Sequence, residues 1–147
     1  LLEVAQRLGI LLPATVYREL ESDLLTELNS VTLFDDVNTT LAELKRQGLK
    51  IGLCSNLAEQ YAPPLLRQLS VPFDCYAWSY SVGSVKPSPA IYEYVLEHLD
   101  CLPGQVLFVG DTPDADRDGP LQMGMQARLI DRDKGERLKD VLNLVSL

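Results

Sequence analysis

A doubly wound α/β fold on a parallel sheet is what this 147-residue sequence predicts, and three observations predict it. Short apolar runs alternate with stretches whose apolar residues recur at helical spacing, the pattern of parallel strands joined by right-handed crossover helices. A chain of this length with 46% hydrophobic residues fills one α/β core and is too short for two substantial ones. The residues directly after the apolar runs are hydroxyls, amides, a lysine and carboxylates, and open parallel sheets hold ligands beyond the carboxyl ends of their strands.

The elements follow in order. Residues 1–12 and 14–28 read as two helices, the second with Val16, Leu20, Leu24, Leu25 and Leu28 at helical spacing and Pro13 placed to open it. Asp35 or Asp36 caps a third helix running to Gln47, with Val37, Leu41 and Leu44 on one face and Gly48 as its left-handed stop. Residues 50–55 form a short apolar run ending in small polar residues, which reads as a buried strand. The alternation continues with a helix at 64–69, a strand at 75–79, a helix at 89–99 and a strand at 105–109. A helix at 116–123, a strand at 127–130 and a last helix at 135–144 complete it. The sequence holds no internal repeat, low-complexity tract or flexible linker.

Charge and composition narrow the partners. With 21 acidic against 13 basic residues the net charge is −8, which repels a phosphate backbone and argues against nucleic acid. No apolar stretch approaches the roughly 20 residues that span a bilayer, so no membrane partner is expected. Cys54, Cys75 and Cys101 are an odd, widely spaced set without a CxxC pair, suggesting reduced thiols in a cytoplasm rather than disulfides or zinc. The chain opens on Leu1 rather than Met, which reads as a trimmed beginning or one that was never identified.

The chemistry-bearing residues stand at the strand ends. Ser55-Asn56 puts a hydroxyl and an amide beside backbone N–H groups, a combination that holds a phosphate oxygen or caps the next helix. Lys86 lies between a Gly-containing loop and a helix opened by Pro89; Pro87 and Pro89 stiffen its backbone, as aiming an ammonium at a fixed anion requires. Asp111, Asp114, Asp116 and Asp118 place four carboxylates in eight residues. They repel unless a cation or solvent separates them, and oxygen-only ligands suit Mg²⁺. A helix dipole accounts for Asp114 and Asp116, but not for an aspartate directly off an apolar strand. His98, mid-helix after Glu97, reads as a surface residue, and Trp78 and the tyrosines as core or pocket wall.

The ordered set Leu53-Cys-Ser55-Asn56, Val82 to Tyr92 around Lys86-Pro87, and Phe108-Val-Gly110-Asp111 through Asp116 to Gly119 and Gly124-Met125 resembles motifs II, III and IV of the haloacid dehalogenase-like (HAD) superfamily. It is similar in style to the phosphoglycolate phosphatase and β-phosphoglucomutase branch. The resemblance implies that Ser55 and Asn56 bind the phosphoryl group, that Lys86 neutralises it with its nucleophile, and that Asp111 ligates Mg²⁺ with Asp116 at or just behind the metal. It also implies a remnant of a helical cap in residues 1–32, an α/β core in residues 33–147 and a small phosphorylated substrate.

The resemblance departs from the family at motif I, an apolar strand ending in Asp-x-Asp that carries the nucleophile. Its nearest imitation, Leu33-Phe-Asp35-Asp36-Val-Asn38-Thr-Thr40, is the start of the capped helix leading into motif II. In the family that strand lies between the motif II and motif IV strands, so its absence leaves two half-sheets with unpaired inner edges. Three sources of the departure stay open: a fragment of a complete enzyme, a strand supplied by a second chain or swapped protomer, or a degenerate fold kept for binding. The parent reads as a Mg²⁺-dependent HAD phosphatase, with these 147 residues expected to be inactive alone. A non-catalytic regulatory module and a haloacid dehalogenase are the alternatives.

Overall fold

The computed structural model describes residues 2–142. Two helices lead, α1 (Leu2–Arg7) and α2 (Ala14–Ser30). Pro13 precedes α2 as expected, but α2 buries none of its residues. Leu8, Leu11, Leu20 and Leu25 are exposed along this segment, and the Tyr61 hydroxyl reaches it by donating to Glu27.

α3 (Val37–Arg46) leads into β1 (Gly52–Ser55), with Gly48 in the left-handed conformation at φ 79° where the chain turns. A 3-10 turn at Glu59–Tyr61 and α4 (Ala62–Leu66) connect to β2 (Cys75–Trp78). A one-turn helix absent from the sequence reading, α5 (Ser79–Val82), follows directly and ends at Gly83 with φ 73°. Then come α6 (Pro89–Leu99), a 3-10 turn at Pro103–Gln105 and β3 (Leu107–Gly110). The helix expected at 116–123 is instead a π-helical turn at Pro113–Asp118 running into α7 (Gly119–Gln122). Pro113 and Pro120, each within the first two positions of these pieces, split what sequence spacing presents as one helix. β4 (Gln126–Leu129) and α8 (Leu138–Leu142) complete the chain; the expected extension of α8 to residue 144 lies outside the described residues.

One expectation fails in detail. Asp36 precedes α3, but its carboxylate does not cap that helix. It accepts two bonds from Arg132 Nη1, at 2.9 and 3.0 Å, and one at 2.6 Å from the Leu138 N–H that opens α8. An arginine brought in from beyond β4 competes better for a buried carboxylate than a neutral amide of α3, because the ionic bond is the stronger.

The strands form two separate two-stranded parallel sheets, β1 with β2 and β3 with β4. Ser55 pairs in register with Trp78, and Gly110 with Leu129. What unites the halves is α6: Ile91, Tyr92, Val95 and Leu99 are buried in one cluster with Cys75 and Ala77 of β2 and Phe108 of β3. Burying each large aliphatic side chain contributes about 1.5–3 kcal/mol. Tyr92 meets Phe108 edge-on, with ring centroids 5.7 Å apart.

Between β1 and β3 lies an open cleft of about 840 Å³, its walls including Ile51, Cys54, Val95, Leu99, Phe108 and Val109.

Candidate functional site

β1 delivers Ser55 at its last position. The Ser55 Oγ accepts the Leu57 N–H at 3.1 Å, a local turn that leaves the hydroxyl hydrogen to donate elsewhere. Asn56 turns away from helix capping altogether. Its Nδ2 donates to the Lys86 carbonyl at 3.0 Å, and its Oδ1 accepts the Lys86 N–H at 2.8 Å.

The Lys86 side chain, 12% exposed, reaches across to the other half-sheet and sets its ammonium 2.5 Å from Asp116 Oδ1. The ammonium also lies 5.5 Å from the centre of the Phe108 ring. Asp116 is 4% exposed at its side chain, and its second oxygen accepts the Thr112 N–H at 3.0 Å. Thr112 in turn donates from Oγ1 to Asp111 Oδ1 at 3.2 Å. Asn56, Lys86, Asp116, Thr112 and Asp111 are thereby linked by successive hydrogen bonds, from the residue after β1 to the residue after β3, with Ser55 next to Asn56 in the chain.

The backbone permits this because of two glycines. A Cβ on Gly110 would collide with the Asp116 carboxylate, so glycine at the last position of β3 lets the π-helical turn fold back on the strand. A Cβ on Gly119 would collide with the Tyr92 hydroxyl. That hydroxyl donates to the Ala115 carbonyl at 2.7 Å and pins the turn next to Asp116. Tyr92, fully buried, is a residue to which sequence reasoning gave no role; its place in the first turn of α6, one helical turn after Ser88, was the signal available.

The four carboxylates do not converge. Asp118 is paired with Arg117 at 2.7 Å, which holds its carboxyl below the usual range. Asp114 is exposed, and both Asp116 oxygens are engaged within the protein. Among the described residues no three His, Cys, Asp or Glu side chains cluster to hold a metal. Asp111 remains as an exposed carboxylate at the strand end. Mg²⁺ keeps several waters and needs only one or two carboxylates plus phosphate oxygens, so Asp111 fits as a single ligand of a site completed by others.

Two further groups lie near this pair, Cys54 by Lys86 and Asp116 and Tyr92 by Asp116. Burial pushes the Cys54 thiol up to about 12, with Lys86 pulling it down and Asp116 pushing it up. Burial likewise raises the Tyr92 phenol to about 12. Both shifts favour the neutral thiol and phenol. His98 is exposed and stacked on Tyr94, at the surface as its sequence context indicates.

The profile of a family described as haloacid dehalogenase-like hydrolase matches residues 3–124. Among curated proteins, pyrophosphatase PpaX of Bacillus cereus is 37% identical over 99 residues, 66% of this chain and 45% of the relative. Ribulose-1,5-bisphosphate 5-phosphatase of Halopiger xanaduensis is 29% identical over 106 residues, 71% of this chain and 44% of the relative. The chain thus spans a little under half the length of these relatives. A crystal structure of an HAD phosphatase from Thermococcus onnurineus superposes with a TM-score of 0.70 at 28% identity, covering 93% of this chain and 61% of that one.

Proposed function

Because this chain belongs to the haloacid dehalogenase-like hydrolase family and has its α/β fold, we propose that it forms the phosphoryl- and Mg²⁺-binding part of a phosphomonoesterase acting on a small phosphorylated metabolite. The observation that carries the proposal is the buried Lys86–Asp116 pair, which crosses between the half-sheets with Asn56, the residue after Ser55, and Asp111 at the two ends of its hydrogen-bond series. In phosphoryl transfer, charge spreads over three equatorial oxygens, and catalysis is largely positioning and electrostatic stabilisation. Ser55 donates its hydroxyl to one phosphoryl oxygen, Lys86 neutralises the group, and Asn56 stands beside them. Asp111 holds Mg²⁺ with Asp116 just behind. When bound, the ion neutralises phosphoryl charge as a Lewis acid.

The nucleophile comes from an apolar strand ending in Asp-x-Asp that occupies the open cleft between β1 and β3, strands of two sheets that are not paired with each other. Residues 1–32 belong to a cap over the site, in keeping with an α2 that buries nothing, and residues 33–147 to the catalytic core. The two curated relatives are named for pyrophosphate and for a sugar bisphosphate, and the same substrate class is proposed here, in a cytoplasmic setting without nucleic acid. No helix among the described residues is long and apolar enough to cross a membrane.

The test is reconstitution. The chain of residues 1–147 should not turn over p-nitrophenyl phosphate, and an extended chain carrying an upstream Asp-x-Asp strand should do so with Mg²⁺. Turnover by residues 1–147 alone refutes the nucleophile assignment. Activity of the extended chain on a haloacid that survives EDTA, with none on the phosphate ester, shifts the assignment to a dehalogenase.

A further inference from the structure

We infer that Asn56 acts as a positioning residue for Lys86 and not as a ligand of the phosphoryl group. The inference rests on the reading above, in which Lys86 holds the anion. A primary amide is one of the few side chains with a donor and an acceptor side by side. Asn56 uses both on one residue's backbone, taking the Lys86 N–H at 2.8 Å and giving to the Lys86 carbonyl at 3.0 Å. This is the pairing a neighbouring strand would offer, supplied by a side chain.

The segment that needs it is otherwise lightly held. After α5 closes at Gly83, the backbone bonds described for residues 84–88 are two, from the Ser88 N–H to the Val85 carbonyl and from the Ile91 N–H to the Ser88 carbonyl, and neither engages Lys86. Lys86 is therefore fixed from two sides: its backbone by Asn56 at the end of β1, and its ammonium by Asp116 beyond β3. The first contact sets where the side chain starts and the second where it ends. Aspartate at position 56 keeps the acceptor and loses the donor; alanine loses both.

Two measurements test this. Without any ligand, hydrogen exchange at the Lys86 amide should be protected in the wild type and in Asn56→Asp, and should lose protection in Asn56→Ala. With inorganic phosphate as the probe, Asn56→Ala should weaken binding about tenfold, the worth of two neutral hydrogen bonds. It should add nothing in a Lys86→Gln background, because a residue acting only through Lys86 is not additive with its loss. An equal loss in both backgrounds makes Asn56 a direct ligand and overturns the inference, as does unchanged Lys86 exchange in Asn56→Ala. Absence of phosphate binding by the wild type, with exchange behaving as expected, refutes the phosphoryl-site reading while the positioning role stands.

Discussion

The Lys86 ammonium lies 2.5 Å from Asp116 Oδ1, and this nearly dry ion pair joins two half-sheets that share no hydrogen-bonded strand. Removing one partner of such a pair leaves the other charge buried and uncompensated, which costs about 3–5 kcal/mol. Lys86→Met and Asp116→Leu should each lower unfolding free energy by about that amount in denaturant titrations. The double variant should recover much of the loss, since an apolar pair of similar volume is tolerated where a lone charge is not.

Gly110→Ala should act on the same pair without touching either charge. The added methyl occupies the place of the Asp116 carboxylate, so the π-helical turn must move off β3, at about 1–3 kcal/mol for overpacking. A Gly104→Ala control, where a Cβ meets nothing within 4 Å, should be close to neutral by the same measurement.

Tyr92→Phe removes one hydroxyl from the turn that carries Asp116. The Ala115 carbonyl then loses its buried donor, at about 1–3 kcal/mol. Exchange of the amides in the Pro113–Asp118 turn should quicken in the variant, while β1 and β2 stay unchanged.

A second buried pair sets a pH dependence. Burial pushes the Asp36 carboxyl up, but hydrogen bonds from Arg132 and the Leu138 N–H, with the Arg132 charge, outweigh it and hold the group below its usual value of 3.8. A depressed carboxylate contributes stability above its unfolded pKa and loses it as pH falls through the lower folded value. The wild type should therefore lose this contribution below about pH 3.8. Arg132→Met should be less stable by about 3–5 kcal/mol at pH 7, and the gap should close towards pH 3. A gap independent of pH contradicts the assignment.

Much of this arrangement is legible in the sequence because it is local. The end of β1 at Ser55, the Pro-opened helix after Lys86 and the aspartate directly off β3 follow from periodicity and turn chemistry within a few residues of each. Even the division into half-sheets was expected, since no apolar run ending in Asp-x-Asp precedes Ser55 in the sequence. What was not legible depends on residues far apart. Asp36 looks like a helix cap until Arg132, 96 residues later, takes its carboxylate. Asn56 looks like a cap or a phosphate ligand until Lys86 arrives 30 residues on. The π-helical turn escaped because its cause is a close approach of Asp116 to Gly110, whereas helical spacing alone reads straight through it.

The central claim is that Ser55, Lys86 and Asp111 enclose one anion and its cation. Calorimetric titration of inorganic phosphate into residues 1–147, with and without Mg²⁺, tests it most directly, because ligands sharing a site change each other's affinity by the same factor. Mg²⁺ should tighten phosphate binding in the wild type, Asp111→Ala should abolish that enhancement while leaving Mg²⁺-free binding, and Ser55→Ala should weaken both. Phosphate binding that ignores Mg²⁺, or an enhancement that survives Asp111→Ala, contradicts the shared site.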